Sequence, residues 1–135
     1  MAGNIAGTIV PITVAAAIAQ YKFLEIASAN AVATAANAAG DDVVGISLEA
    51  RSAAQITAGD TRIPMLLPGC IAKVLAGAAI DITAGAVPVT TDSAGRAVAV
   101  AAATDRILGY ALQSAAAANE VIEILFEKGA DRRDA

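Results

Sequence analysis

The chain has 135 residues, of which 57% are hydrophobic and 3% aromatic, and its formal net charge at pH 7 is −4. A chain of this length is expected to form one domain, and its acidic balance argues against a nucleic-acid partner held through phosphate groups. Histidine, the commonest general base and metal ligand, is missing. Alanine supplies much of the apolar content, and because small side chains bury little area, we expect association with other chains to add stability.

The first twelve residues, MAGNIAGTIVPI, contain no charged side chain. An exposed apolar segment is typical of an interaction surface, so we predict that residues 1–12 form an arm that contacts another chain through Ile5, Ile9 and Val10. The alternative is that these residues form the first strand of the domain. The apolar run 5–19 has no Lys or Arg before it and is shorter than the ~20 residues of a spanning helix, so we expect neither a secretion signal nor a membrane partner.

Residues 13–129 are predicted to form a single β domain that consists of two internal repeats, one unit at 13–69 and the other at 77–129. The stretch DDVVGISLEA, which contains Gly45, aligns with DRILGYALQS, which contains Gly109, at an offset of 64 residues. Each unit is predicted to contain four strands, and together they form a small barrel or sandwich. Glycine inside a strand marks a bulge, a bend or the close approach of another backbone, so we predict that both glycines bend the third strand of their unit.

The second unit supplies the clearest local signals. The stretch TTDSAGRAV predicts a hairpin, because Asp, Ser and Gly favour a turn before the alternating apolar residues. The alanines at 115–118 favour a short helical turn, whereas Val121–Glu127 is predicted to be a strand. A charged tail, residues 130–135, has no apolar anchor and is expected to be dispensable, whereas deletion of residues 1–10 is expected to weaken association.

The sequence offers little catalytic chemistry. The available carboxylate pairs are Asp41–Asp42 and Glu120–Glu123. Asp41 and Asp105 are interpreted as turn residues before a strand, and the lone Cys70 excludes both an intrachain disulfide and a cysteine-based metal site. No D-x-D-x-D loop is present, although a calcium ion near the acidic turns at 81–93 is an open alternative. We therefore expect no enzymatic activity, no cofactor and no metal.

Residues 76–126 resemble the capsid cement, or head decoration, proteins of tailed bacteriophages. The pattern of that family runs I-T-A-G-x-x-V, then D-x-x-G-x-a-V, then a-x-D-x-x-I/L-G-x-A-L-x-x-A-A-A, and it ends in an alternating strand. The matching positions are Ile82, Thr83, Ala84, Gly85, Asp92, Gly95, Val98, Asp105, Gly109, Ala111 and Leu112. The first unit fits more loosely, with Tyr21 in the place of Gly85 and Ala31 in the place of Gly95.

The resemblance implies a compact β fold on the outer surface of an assembled virion head, made in the host cytoplasm. It implies binding to the major capsid protein, where the domain locks neighbouring coat subunits, and a homo-oligomer with a trimer as the first expectation. It implies no catalytic residue. The alternatives are a small β-domain binding module associated with glycans or a fibre, and a self-assembling shell subunit.

Overall fold

The computed structural model describes residues 7–26, 32–39 and 41–127. Within these ranges the chain forms ten β-strands and one short α-helix, which confirms the predicted all-β fold. The strands are β1 (Ile9–Val14), β2 (Phe23–Ile26), β3 (Val32–Ala35), β4 (Val43–Ser47), β5 (Arg62–Leu66), β6 (Cys70–Leu75), β7 (Val87–Thr91), β8 (Ala97–Ala99), β9 (Gly109–Ala111) and β10 (Val121–Phe126), and the helix α1 (Ala53–Thr57) lies between β4 and β5.

Two five-stranded sheets share one topology. The first is a closed barrel in the order β1-β3-β2-β4-β5, and the second has the order β6-β10-β9-β7-β8. Replacing each strand of the second sheet by the one five places earlier gives β1-β5-β4-β2-β3, which is the order of neighbours around the barrel. The parallel pair β1–β3 that closes the barrel is reduced in the second sheet to one parallel bridge between Ala76 and Ala97. The second sheet is therefore an open copy of the barrel.

Each unit contains five strands, one more than the sequence predicted. The extra strands are β1 and β6, which begin before the predicted unit starts at residues 13 and 77. Strands β2 and β7 begin 64 residues apart, at Phe23 and Val87, whereas β1 and β6 begin 61 residues apart. An alignment without gaps therefore loses the first strand, because the connection that follows it is longer in the second unit.

The N-terminal boundary also differs from the prediction. Strand β1 pairs with β5 in an unbroken register from Ile9 opposite Leu66 to Thr13 opposite Arg62, so residues 9–12 belong to the barrel and not to an arm. Backbone pairing and inward-facing apolar side chains hold this segment in place. Ile5 and the rest of residues 1–6 lie outside the described residues, as does the tail 130–135.

The helical content lies elsewhere than expected. Helix α1 begins with a capping box in which Gln55 N–H donates to the Ser52 hydroxyl oxygen, and Ser52 N–H donates to the Gln55 side chain. The predicted helical turn at 115–118 is absent, because Ala115 is buried and forms an antiparallel bridge with Ile80. No helix in the described part of the chain is long and apolar enough to cross a membrane.

The two units contain equivalent turns. Asp41 Oδ2 accepts hydrogen bonds from the backbone N–H groups of Asn37 and Ala38 at 2.7 and 2.9 Å. Asp105 Oδ2 accepts from the two N–H groups 64 positions further along, both at 3.0 Å. Each carboxylate thus stabilises the turn before the third predicted strand of its unit, which confirms the interpretation of both acids as turn residues.

Two apolar clusters form the core. The barrel interior contains Val14, Ile18, Leu24, Ala33, Ile63 and Met65. A larger cluster combines barrel residues such as Phe23 and Ile46 with the inner side chains of the second sheet, among them Val89, Ile124 and Phe126. Because neighbouring residues of a strand point to opposite faces, β2 contributes Leu24 to one cluster and Phe23 to the other. The concave side of the open sheet is thereby covered by the outside of the barrel.

The aligned glycines lie where a side chain would collide with a neighbouring strand. At Gly45 the pairing of β2 with β4 shifts register, as in a β-bulge, and an added Cβ would lie 2.8 Å from the carbonyl oxygen of Leu66. At Gly109 an added Cβ would overlap the carbonyl oxygen of Leu125 and lie 3.0 Å from its carbonyl carbon. The third predicted strand of each unit therefore needs a residue without a side chain at this position.

Replacement of Gly109 by alanine is expected to cost stability at the upper end of the about 1–3 kcal/mol that overpacking typically costs, because the obstacle is backbone. Gly59→Ala is the matched control, since Gly59 has φ +89° and open space around it, so its cost of about 1 kcal/mol is conformational. Free energies of unfolding from urea titrations check the difference. Equal losses in the two variants would contradict the steric explanation.

Candidate interaction surface

The outer face of the second sheet carries large apolar side chains. Along β10 the residues Ile122, Ile124 and Phe126 are buried, whereas Val121 and Leu125 are 48% and 37% exposed. The solvated face of an antiparallel sheet is normally polar. The exposed apolar residues make this face the candidate for a contact with another molecule.

Leu125 belongs to a row of apolar residues that crosses four strands. Leu125 of β10 lies opposite Ile71 of β6 on one side and Tyr110 of β9 on the other, and Tyr110 lies opposite Pro88 of β7. Tyr110 is 36% exposed. Directly opposed side chains on neighbouring strands are close enough to touch, so the row is a continuous apolar strip about 14 Å wide.

One pair of opposite charges interrupts the apolar surface. Lys73 of β6 lies directly opposite Glu123 of β10, between the pair Ile71–Leu125 and the pair Leu75–Val121. We call the surface formed by these positions the β6–β10 face, and its members are Ile71, Lys73, Leu75, Val121, Glu123 and Leu125. The face has no net charge, in a chain whose net charge is −4.

Ile9 and Val10, two of the contact residues predicted from the sequence, differ in their exposure to solvent. Ile9 is 57% exposed on the outside of the barrel. Val10, its neighbour in β1, packs against the core cluster of the barrel interior, so it faces away from that surface. Ile5 lies outside the described residues. Ile9 is thus accessible to another chain, and a contact role for it stays a prediction.

Asp41 meets a carboxylate that the sequence did not suggest. The pKa of Glu25 is raised from its ordinary value, first because burial disfavours the charged form, and then because of the negative charge of Asp41 and a side-chain hydrogen bond with it. Asp41 thus interacts with Glu25, an acid outside the carboxylate pair Asp41–Asp42 that the sequence offered. Glu25 lies opposite Val43 in the β2–β4 pairing, which brings the two acids together across 16 positions of sequence.

The remaining candidate ligands are engaged in their own turns. Asp92 Oδ1 accepts from the backbone N–H groups of Ala94 and Arg96 at 2.8 Å each, and its Oδ2 pairs with Arg96 Nε at 3.0 Å. The pKa of Asp81 is lowered by the hydrogen bond from the backbone N–H of Thr83. Among the described residues, no three Cys, Asp or Glu side chains are grouped so that they could hold a metal ion.

Cys70 belongs to the larger core cluster. Its side chain is buried, and burial raises the pKa of the thiol. A raised pKa keeps the sulfur in the thiol form, which is neither the nucleophile nor the metal ligand. This residue therefore contributes packing to the core.

Glu25→Gln is expected to raise the melting temperature at pH 7 and to change it little at pH 4. The folded state favours protonated Glu25, so the stability that its raised pKa provides is present below the ordinary value of 4.5 and is lost as the pH rises through the raised pKa. Glutamine keeps the neutral form at both pH values. Thermal unfolding followed by circular dichroism measures the effect, with Glu127→Gln, an exposed acid, as control. A lower melting temperature of Glu25→Gln at pH 7 would contradict this assignment.

Neither a protein-family model nor a curated protein sequence matches the chain. Among solved structures, the fold is similar to that of the N base of the head fiber protein gp8.5 of bacteriophage phi29, with a TM-score of 0.66 and 18% sequence identity. The match covers 91% of this chain and 96% of the phage protein chain. A match of this extent includes both sheets, so the barrel and the open sheet together form the shared fold.

Proposed function

We propose that this protein is a head-decoration protein of a tailed bacteriophage. It binds the outside of the assembled head as a homo-oligomer and stabilises contacts between subunits of the major capsid protein. The observation that carries the proposal is the likeness to a phage head fiber base across nearly the whole of both chains. The sequence pattern of residues 76–126 supports it independently, because that pattern resembles head decoration proteins.

The surface chemistry supports a role in presenting and joining surfaces. Tyr110, Val121 and Leu125, which the structure leaves exposed, lie on the strands β9 and β10. The acids Asp41, Asp92 and Asp105 are engaged in the turns of their own chain. A domain whose acids hold turns and whose apolar residues face outward on strands is suited to protein contacts.

Purified protein is expected to co-sediment with undecorated phage heads in a saturable ratio to coat subunits. Decorated heads are expected to withstand heating or loss of divalent cations better than bare heads, because added contacts between coat subunits oppose their separation. Centrifugation of heads with increasing amounts of protein, followed by quantitative gel analysis, measures the ratio. Absence of saturable binding to heads of the matching phage would overturn the proposal.

Ile9→Glu is expected to weaken head binding about tenfold or more, since it replaces an exposed apolar contact residue by a charge. Ala54→Glu is the matched control, because it adds the same charge at an exposed position in the first turn of α1 and not in β1. Both variants are compared in the co-sedimentation assay after a check of their folding by circular dichroism. Equal binding by Ile9→Glu and wild type would remove Ile9 from the head contact.

A second function is favoured by the comparison itself. The similar chain is the base of a head fiber, so this domain could anchor a longer fibre to the head instead of stabilising the shell. Electron microscopy of heads decorated with the natural protein separates the two functions. Compact knobs together with increased shell stability support decoration, whereas long projections without added stability support a fibre base.

A further inference from the structure

We propose that the β6–β10 face binds the same face of a second copy of this chain across a two-fold axis. The proposal deepens the homo-oligomer that forms part of the proposed function. It rests on the pairing of β6 with β10, which places six side-chain positions of the outer face in three rows of two. These rows are Ile71 with Leu125, Lys73 with Glu123, and Leu75 with Val121.

Exchanging the positions of β6 and β10 leaves the order of apolar and charged rows on the face the same. The outer rows are apolar on both strands, and the middle row has one positive and one negative charge. A two-fold axis that lies between the two facing sheets and runs along the strands places every β6 residue against its β10 counterpart on the other copy. Such a contact is isologous, since the same patch is used on both subunits.

The charges favour a second copy over another partner. In the described part of the chain, the ion pairs involve neither Lys73 nor Glu123. Across the two-fold axis, Lys73 of each copy meets Glu123 of the other, which makes two equivalent ion pairs. A strongly acidic or basic partner gains no attraction from a face without net charge. Two copies of an acidic chain, by contrast, repel each other least where the surfaces that meet are neutral.

The size of the face indicates a weak association. Its two strands are about 4.8 Å apart, and its three rows extend about 13 Å along them. Stable complexes cover about 800 Å² on each partner, which exceeds this face even when Tyr110 adds to its rim. Dimers are therefore expected at high protein concentration, or on a shell that holds many copies close together.

Two charge reversals and their combinations test the contact. Lys73→Glu and Glu123→Lys each place like charges against one another twice in the dimer, so the dissociation constant is expected to rise about tenfold or more. The double variant restores opposite charges and is expected to dimerise like wild type. Mixing the two single variants in equal amounts is expected to produce a heterodimer, because each chain then offers the charge that the other lacks.

Sedimentation equilibrium of the full chain over a wide concentration range provides the measurement, and circular dichroism confirms that each variant is folded. Recovery of association in the mixture supports the proposal, since a loss of folding within one chain cannot be rescued by another chain. A wild type that stays monomeric, single variants that associate like wild type, a mixture without recovery, or a trimer unaffected by the reversals would overturn it. Saturable binding to heads together with any of these results leaves the decoration function intact and removes only the two-fold contact.

Discussion

The structure depends on the burial of β2 from both sides. Leu24 fills the barrel interior, whereas Phe23 enters the cluster shared with the second sheet, where its ring lies 6.0 Å from that of Phe126. The Phe23 N–H also donates to the carbonyl oxygen of Gly95 at 2.8 Å, which joins the backbones of the two units. A chain with two phenylalanines and no tryptophan thus concentrates its largest apolar side chains at the junction that makes one core from two sheets.

The same junction explains why two copies of one topology close differently. In the barrel, β1 and β3 pair directly, whereas β6 and β8 meet only at the bridge of Ala76 with Ala97. The turn before β8 binds the barrel instead, since the carbonyl oxygen of Gly95 accepts from Phe23 N–H at 2.8 Å and Lys22 Nζ donates to the carbonyl oxygen of Ala94 at 2.7 Å. The concave side of the open sheet therefore packs against the barrel, and its other side faces outward.

This arrangement separates the charged groups into two kinds. The turn acids Asp41, Asp92 and Asp105 bind backbone groups of their own turns, and the pKa of Glu25 in β2 is raised by burial and by the neighbouring Asp41. The outward side of the second sheet has one charge of each sign, Lys73 and Glu123, among apolar neighbours. This outward surface is the feature on which the proposed contacts with other subunits rest.

The sequence by itself determined the features that depend on residues near each other in the chain. The all-β fold, the hairpin at TTDSAGRAV with Gly95 at φ +77°, and the turn roles of Asp41 and Asp105 follow from short-range patterns, and the aligned Gly45 and Gly109 follow from the repeat. A turn is closed by donors and acceptors a few positions apart, so its residues reveal it wherever the rest of the chain lies.

The tertiary structure alone decided which strands meet and which faces remain outside. The inward position of Val10, the pairing of Glu25 with Asp41, and the apolar row that runs from Ile71 through Leu125 arise from contacts between strands far apart in sequence. In an alanine-rich chain, nearly every strand can present an apolar side to a core, so alternation does not say which side is buried. That choice was made by the barrel covering one face of the second sheet, and it left the β6–β10 face exposed.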